Sequence, residues 1–169
     1  MRRAARLLGS LLTASTLLGC GGGVRALVAG TDACEFCRMT ISDVRYGAEV
    51  IARTGRVYTF DSIECAASWV ASSPRAKDAN GVWVADYSTG SLIRADSALF
   101  VKGGTLHSPM GRAITAFAGA VGMTPLAERY GGEVLTWGDV VTYVRAQGLP
   151  GAPTASRFSS PAATTNGHP

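Results

Sequence analysis

The sequence predicts an α+β fold with two related ββα-type halves in one compact domain. Three observations carry this prediction: short apolar runs typical of β-hairpins, helical patterns that begin directly after strands, and a strand-to-helix segment that occurs twice. Of the 169 residues, about 120 lie between two low-complexity ends, which is enough for one domain with a real core.

The first half begins with a predicted hairpin over residues 46–52 and 56–60, around Thr54-Gly55. Asp61 or Ser62 is then expected to cap a helix that runs through Ser72, because apolar residues recur there at helical spacing. The acidic side chains of Asp61 and Glu64 are interpreted as favourable charges at the start of this helix. A second hairpin is predicted around Ser88-Thr89-Gly90.

The second half is predicted to start with a strand over residues 98–102. From Gly111 the apolar spacing indicates a helix, whose shared face holds Ile114, Phe117, Ala118 and Val121. Thr124-Pro125 is expected to open another helix, as its cap and first helical residue. A strand over 133–136 and a helix through Gln147 complete the domain.

A repeated segment links the two halves. Residues 55–63, GRVYTFDSI, align with residues 132–140, GEVLTWGDV. In both copies a strand with the pattern G-x-V-x-T-aromatic leads into a helix. We therefore expect the two strand-to-helix steps to occupy related places in the fold.

The N-terminus has the pattern of an export signal. Arg2, Arg3 and Arg6 precede an apolar run over residues 7–18, which is shorter than the roughly 20 residues of a membrane-spanning helix. The run ends in Leu17-Leu18-Gly19-Cys20, which is typical of a bacterial lipobox. We expect a signal peptide over 1–19 and a lipid anchor on Cys20, the alternative being an ordinary signal peptide with a chance cysteine.

The remaining boundaries follow from composition. Residues 20–32 are predicted to be the lipidated cysteine and a flexible tether, 33–147 the folded domain, and 148–169 a disordered tail rich in Pro, Ser, Thr, Ala and Gly. The net charge is +4, and loss of the three signal arginines brings it close to neutral. We therefore expect no nucleic-acid partner.

The cysteine count leaves an unpaired thiol in the exported domain. With Cys20 lipidated, Cys34, Cys37 and Cys65 remain, and three thiols cannot all pair with one another. Exported cysteines are usually paired or used chemically. A Cys34–Cys37 disulfide with a merely buried Cys65 stays open as an alternative.

The motif Cys34-x-x-Cys37-x-Met39 indicates a soft metal site. If residues 37–41 are extended, the side chains of Cys37 and Met39 point to the same face of the strand and Arg38 points away. Thiolate and thioether ligands select Cu(I). Structural zinc would need four ligands, usually with a second spaced pair, and a thioredoxin-like redox pair would precede a helix.

A second methionine lies in His107-Ser108-Pro109-Met110-Gly111, where Pro and Gly predict an exposed turn. Core packing is the simpler interpretation of any one methionine, and local hydrogen bonding is the simpler one for His107. Cys65 is more simply a small buried thiol. No serine triad, carboxylate pair or phosphate-binding loop occurs in the sequence.

These motifs together resemble the NosL family, exported copper-handling lipoproteins that assist nitrous oxide reductase. The resemblance spans about residues 33–144 and rests on an ordered set of segments: the lipobox Cys20, C-x-x-C-x-M over 34–39, FDSIEC over 60–65, WVADY over 83–87, SPMG over 108–111 and GEVLTW over 132–137. It implies two related α/β halves, Cu(I) binding and structural similarity to organomercury-lyase domains.

The resemblance implies a membrane-anchored Cu(I) metallochaperone rather than an enzyme. Its main ligands would be Cys37, Met39 and Met110, with Cys34 secondary and His107 and Cys65 as further candidates. The protein would face the periplasm if two membranes are present, and it would pass copper to a cuproenzyme or another copper-trafficking protein. A thiol enzyme, either an oxidoreductase or an organometal lyase, and a structural lipoprotein are the alternatives.

One residue departs from the family pattern. The family commonly has Gly between the second cysteine and the methionine, where this chain has Arg38. We expect ligation to survive this change, while the guanidinium charge could lower the pKa of a neighbouring thiol or alter docking.

Overall fold

The computed structural model describes residues 23–148. The signal peptide predicted over 1–19, the lipidation site Cys20 and the tail after Gly148 lie outside the described residues, and they stay predictions. In the part of the chain that is described, no helix is both long enough and apolar enough to cross a membrane.

The described chain forms an α+β domain, as the sequence predicts, with two antiparallel sheets and three α-helices. The strands are Ala48–Ala52 (β1), Val57–Phe60 (β2), Ala79–Ala85 (β3), Leu92–Arg94 (β4), Ala98–Lys102 (β5), Ile114–Ala118 (β6) and Glu133–Leu135 (β7). The α-helices are Ile63–Ser72 (α1), Met123–Tyr130 (α2) and Trp137–Ala146 (α3). Short 3-10 helices occur at Val44–Tyr46, Pro74–Asp78, Ala95–Ser97 and Gly119–Val121.

The first sheet has the order β2-β1-β3-β4, and the second has the order β6-β5-β7. In each sheet a middle strand, β1 or β5, pairs antiparallel with two neighbours. In each sheet one neighbour, β2 or β7, leads directly into a helix. The repeated segment therefore marks two strands with equivalent places beside the middle strand of their sheets.

The helix predicted from Gly111 is wrong. Residues 114–118 form β6, which pairs with β5 from Lys102↔Ile114 to Ala98↔Ala118. Four of its five residues are buried, so both faces of the strand are covered and the polar–apolar alternation of a half-exposed strand is lost. The apolar residues then match a helical spacing by coincidence, and pairing with β5 decides the structure.

The start of α2 also differs from the prediction. The helix begins at Met123 after Gly122, so Thr124 is not its cap and Pro125 is its third residue. Proline is tolerated there because the first four N–H groups of a helix have no partner within the helix. The cap of α3 has the expected sequence signature, since Thr136 and Asp139 form a reciprocal capping box.

The two halves share one core. Helices α1 and α3 pack against each other, and buried residues from both sheets, such as Val50, Phe60, Phe100 and Ile114, belong to one hydrophobic cluster. Residue Asp86 forms a parallel bridge with Ala116 in β6. This packing fixes the first turn of α1 in the centre of the domain.

The packed chain starts before Ala33, where the sequence predicts the domain to begin. The guanidinium of Arg25 lies 2.8 Å from a carboxylate oxygen of Asp32, and its backbone N–H donates to the buried Glu49. A Cβ on Gly47 would collide with Leu27, so this glycine permits the N-terminal segment to lie directly on the sheet.

Candidate metal site

Three cysteine side chains meet where a short hairpin packs on the first turn of α1. The Sγ atoms of Cys34, Cys37 and Cys65 all lie within 4.8 Å of one another, and all three thiols are free. Cys34 and Cys65 are buried, whereas Cys37 is half-buried. The structure thus brings together both cysteines of the motif and the cysteine of α1.

The motif folds as a tight hairpin. Ala33 and Thr40 pair across it, the N–H of Cys34 donates to the carbonyl of Met39 at 2.8 Å, and the N–H of Arg38 donates to the carbonyl of Cys34 at 3.0 Å. The N–H of Cys37 also lies 3.5 Å from the Sγ of Cys34. The turn returns Cys37 to Cys34, as the sequence predicts, and directs backbone donors at a sulfur atom.

The expectation that residues 37–41 are extended is wrong at Arg38. This residue has a φ of 67°, in the left-handed region that costs a side-chain-bearing residue about 1 kcal/mol and costs glycine nothing. The glycine common in the family at this position fits that conformation. The turn, not strand alternation, therefore decides where the side chains of Cys37 and Met39 point.

The charge of Arg38 is directed at a carboxylate. Its guanidinium lies 3.3 Å from Glu35, which also pairs with Arg75 at 3.3 Å, and its side chain is 73% exposed. Arg38 is not among the groups that lower the pKa of Cys34, which are the thiol of Cys65 and nearby backbone N–H groups. Arg38 and Arg75 instead place positive charge beside the outer edge of the site.

Cys65 is held in place by the cap of α1. The hydroxyl oxygen of Ser62 accepts the N–H of Cys65 at 3.2 Å. The preceding residue, Asp61, is buried and accepts the N–H of Ser42 at 2.9 Å. Its interpretation as a simple helix-start charge is therefore incomplete, because the carboxylate also fastens the chain after the cysteine hairpin to α1.

The three thiols differ in acidity. The thiol of Cys65 and the backbone N–H groups of Asp61, Cys37 and Phe36 donate towards the Sγ of Cys34, and together they lower its pKa to about 5 against the opposing effect of burial. The hydrogen bond to Cys34 and burial raise the pKa of Cys65, and burial raises the pKa of Cys37. The arrangement therefore favours the thiolate form at Cys34 over Cys37 and Cys65, and thiol protons would leave on metal binding.

The methionine and histidine candidates lie at different depths. Met39 is 56% exposed. Met110 is half-buried and packs against the hydrophobic cluster that contains Cys34 and Cys65. His107 is exposed. Their roles as ligands stay predictions.

Glu64 and Ser108 are two further residues at the site that the sequence did not identify. Glu64 directly precedes Cys65, is 0% exposed, and burial raises the pKa of its carboxyl. It accepts hydrogen bonds from the hydroxyl of Ser108 and from the N–H of Ile114, the latter at 3.3 Å. Its interpretation as a helix-start charge misses these contacts, although a carboxylate in an otherwise apolar first turn could have indicated them.

This chain is similar to known proteins in sequence and in fold. The NosL family model matches residues 26–144. The crystal structure of the copper chaperone NosL from Shewanella denitrificans matches with a TM-score of 0.58 and 23% sequence identity, over 70% of this chain and 95% of that chain. No curated protein matches the sequence.

The solved structure shows that the two proteins share a fold. The family match covers more than half of the chain and includes the cysteine hairpin, α1, the Ser-Pro-Met turn and most of α3. The resemblance stated from the motifs is therefore confirmed, and the chain belongs to the NosL family.

Proposed function

We propose that this protein is an exported Cu(I) metallochaperone, anchored to a membrane through lipid on Cys20 and without enzymatic activity of its own. The observation that carries the proposal is the cluster of three free thiols within 4.8 Å. Membership of the NosL family and the fold shared with a copper chaperone support it.

The donor set fits a soft ion with a low coordination number. Three cysteine sulfurs, with Met39 and Met110 as thioether candidates, suit Cu(I) better than harder ions. Structural zinc takes four Cys or His ligands, and His107 is exposed rather than part of the cluster. Cys37, Met39 and Met110 would be the main ligands, with the buried Cys34 and Cys65 behind them.

Transfer would proceed by stepwise ligand exchange. The half-buried Cys37 and the exposed Met39 can be reached from outside, so a partner's sulfur or imidazole can bind the ion before the inner thiols release it. The recipient would be a cuproenzyme, with nitrous oxide reductase as the first candidate, or another copper-trafficking protein. A lipid on Cys20 would hold the domain at the membrane surface that faces the periplasm.

Anaerobic titration of the reduced domain with Cu(I), against a competing chelator, tests the proposal. We expect one tightly bound Cu(I) per chain, and lower affinity in Cys37→Ser, Met39→Leu and Met110→Leu. Unchanged affinity in both methionine variants would remove the thioethers from the ligand set. Loss of binding in Cys37→Ser alone would leave a thiolate-only site.

A thiol enzyme is the second candidate, because the pKa of Cys34 is lowered to about 5 as in reactive cysteines. Cys34 is only 1% exposed, however, and an external disulfide or organometal must reach Cys37 first. An enzyme of this kind would turn over an organomercurial or a disulfide, lose activity in Cys34→Ser and keep it in Met110→Leu. Turnover with that pattern would replace the chaperone proposal.

A further inference from the structure

The loop that carries Met110 is tied to α1 through one carboxylate. Residues 103–113 connect β5 to β6. The hydroxyl of Ser108 donates to Glu64 and accepts the N–H of Ala113 at 3.0 Å, while the N–H of Ile114 donates to Glu64 at 3.3 Å. Glu64 thus fastens the loop both before and after Met110.

This connection is energetically costly. Glu64 is 0% exposed, and within residues 23–148 its Oε2 has no hydrogen-bond partner. Burial of an unpaired carboxylate oxygen is unfavourable. Ala113 also adopts a φ of 55°, which side-chain-bearing residues rarely take. Costs of this kind concentrate where a structure has to hold a particular geometry.

The geometry joins two candidate ligands. Glu64 is the neighbour of Cys65 in α1, and Ser108 is two residues before Met110. A turn closed by the N–H of Gly111 on the carbonyl of Ser108, at 2.9 Å, leads directly through Met110. Met110 is half-buried and packs on the main hydrophobic core, whose members include Cys34 and Cys65.

We propose that Glu64 and Ser108 are a positioning pair, which fixes the thioether of Met110 against the cysteine sulfurs. The inference rests on the proposed function, because it assigns these residues a role in Cu(I) binding. Neither residue binds the ion. The pair acts by removing the freedom of the loop before the ion arrives, so that Met110 is ordered without further entropic cost.

Ser108→Ala and Glu64→Met test the pair. Ser108→Ala removes one hydroxyl, and Glu64→Met removes the acceptor at similar volume. We expect Cu(I) affinity to fall by about tenfold in each, as for residues that orient metal ligands. Copper-edge X-ray absorption should show one fewer sulfur ligand in both. Glu64→Gln keeps an acceptor oxygen for Ser108 and Ile114, and its affinity should stay within about twofold of wild type.

Glu49 supplies a matched control. It is also a 0% exposed glutamate, and one of its oxygens has no hydrogen bond among the described residues. That oxygen lies 3.9 Å from the guanidinium of Arg25 in the N-terminal segment, away from the loop of Met110. Glu49→Met should change stability without changing the sulfur count or affinity. A similar loss of Cu(I) affinity in Glu49→Met would show that removal of any buried glutamate lowers the affinity. That result would overturn the proposal.

A double-mutant comparison separates the possible failures. If the pair acts through Met110, Met110→Leu weakens binding in wild type and adds nothing in Ser108→Ala. Additive losses would overturn the positioning role while leaving the metallochaperone intact. No effect of Met110→Leu alone would overturn the positioning role and the thioether ligand together. Retained binding after loss of Cys37 and Cys65 would overturn the proposed function itself.

Discussion

The step from β2 into α1 and the step from β7 into α3 share a sequence pattern but differ in their surroundings. In α1, the first-turn residues Ile63, Glu64 and Cys65 are all buried. In α3, Gly138 and Asp139 of the first turn are exposed, and the capping box faces solvent. In the shared alignment α3 also begins three residues earlier than α1.

The difference shows that the same strand-to-helix pattern occurs once with exposed polar residues, at α3, and once with buried polar residues, at α1. At α3 the polar residues are exposed and cap the helix, which suffices for a stable end. At α1 the polar residues are buried, where each needs a specific partner. Asp61 binds Ser42, just after the cysteine hairpin, and Glu64 binds Ser108, just before Met110. The buried copy of the repeat therefore connects two segments that carry candidate metal ligands.

The largest expected effect comes from Cys65. Cys65→Ser should lower Cu(I) affinity by about 100-fold or more, because it removes one of the three clustered sulfurs and the thiol that donates to the Sγ of Cys34. A loss of this size exceeds the effect of residues that only orient ligands. The aligned residue in α3 is the exposed Thr142, and Thr142→Ser should leave affinity unchanged. Chelator competition measures both. An unaffected Cys65→Ser variant would return Cys65 to the simpler role of a buried core thiol.

The next largest effect concerns folding stability at Glu64 and Val141, which the repeat aligns with each other. Glu64→Ala leaves Ser108 and the N–H of Ile114 without their acceptor and opens a cavity, which should lower the free energy of unfolding by about 2–4 kcal/mol. The aligned residue, Val141, is half-buried, and Val141→Ala should cost about 1 kcal/mol. Urea unfolding monitored by tryptophan fluorescence measures both. A more stable Glu64→Ala variant would mean that desolvation of the carboxylate outweighs its hydrogen bonds.

The helix caps should show a smaller contrast. Ser62→Ala should cost about 1–2 kcal/mol, since water cannot easily replace the buried hydroxyl that accepts the N–H of Cys65. Thr136→Ala removes an exposed cap that water can replace, and about 0.5–1 kcal/mol is expected. Thermal unfolding compares the two variants. Equal costs would show that burial does not strengthen the α1 cap.

The smallest effect is a pH dependence that only one copy has. Hydrogen bonds from Thr136 lower the pKa of Asp139, so its contribution to stability is present above its unfolded pKa of about 4 and is lost as pH falls through the lower folded value. The aligned residue Ser62 does not titrate. The difference in Tm between wild type and Asp139→Asn should stay constant from about pH 7 to 5 and shrink below about pH 4. A difference that grows on acidification would contradict this sign.

Sequence patterns predict the elements whose signals are local. The hairpin of β1 and β2, the helix α1 and the capped helix α3 follow from turn, periodicity and cap residues, and the structure confirms them. The strand β6 is not predicted from the sequence pattern, because its pairing with β5 leaves both of its faces buried. Periodicity alone does not separate such a strand from a helix.

The candidate site likewise contains residues that a local sequence pattern identifies and residues that only the tertiary packing reveals. The C-x-x-C-x-M spacing marks Cys34 and Cys37, but it does not reveal that α1 brings Cys65 to them, because this contact depends on tertiary packing. The left-handed conformation of Arg38 is also not predicted from the sequence. A glycine at this position would have indicated a positive φ, whereas an arginine does not. Glu64 reads as a helix-start charge until the fold shows that no solvent reaches it.

The sulfur atoms of the cysteine hairpin and α1 form a series of increasing depth, from the exposed Met39 through the half-buried Cys37 to the buried Cys34 and Cys65. Under the proposed function, this series separates how tightly copper is held from how quickly it is delivered. An ion on the inner thiols exchanges with solvent slowly, since it must pass the outer sulfurs. A partner that binds at those sulfurs opens a faster route, so the lifetime of the loaded protein is set by encounter with its recipient.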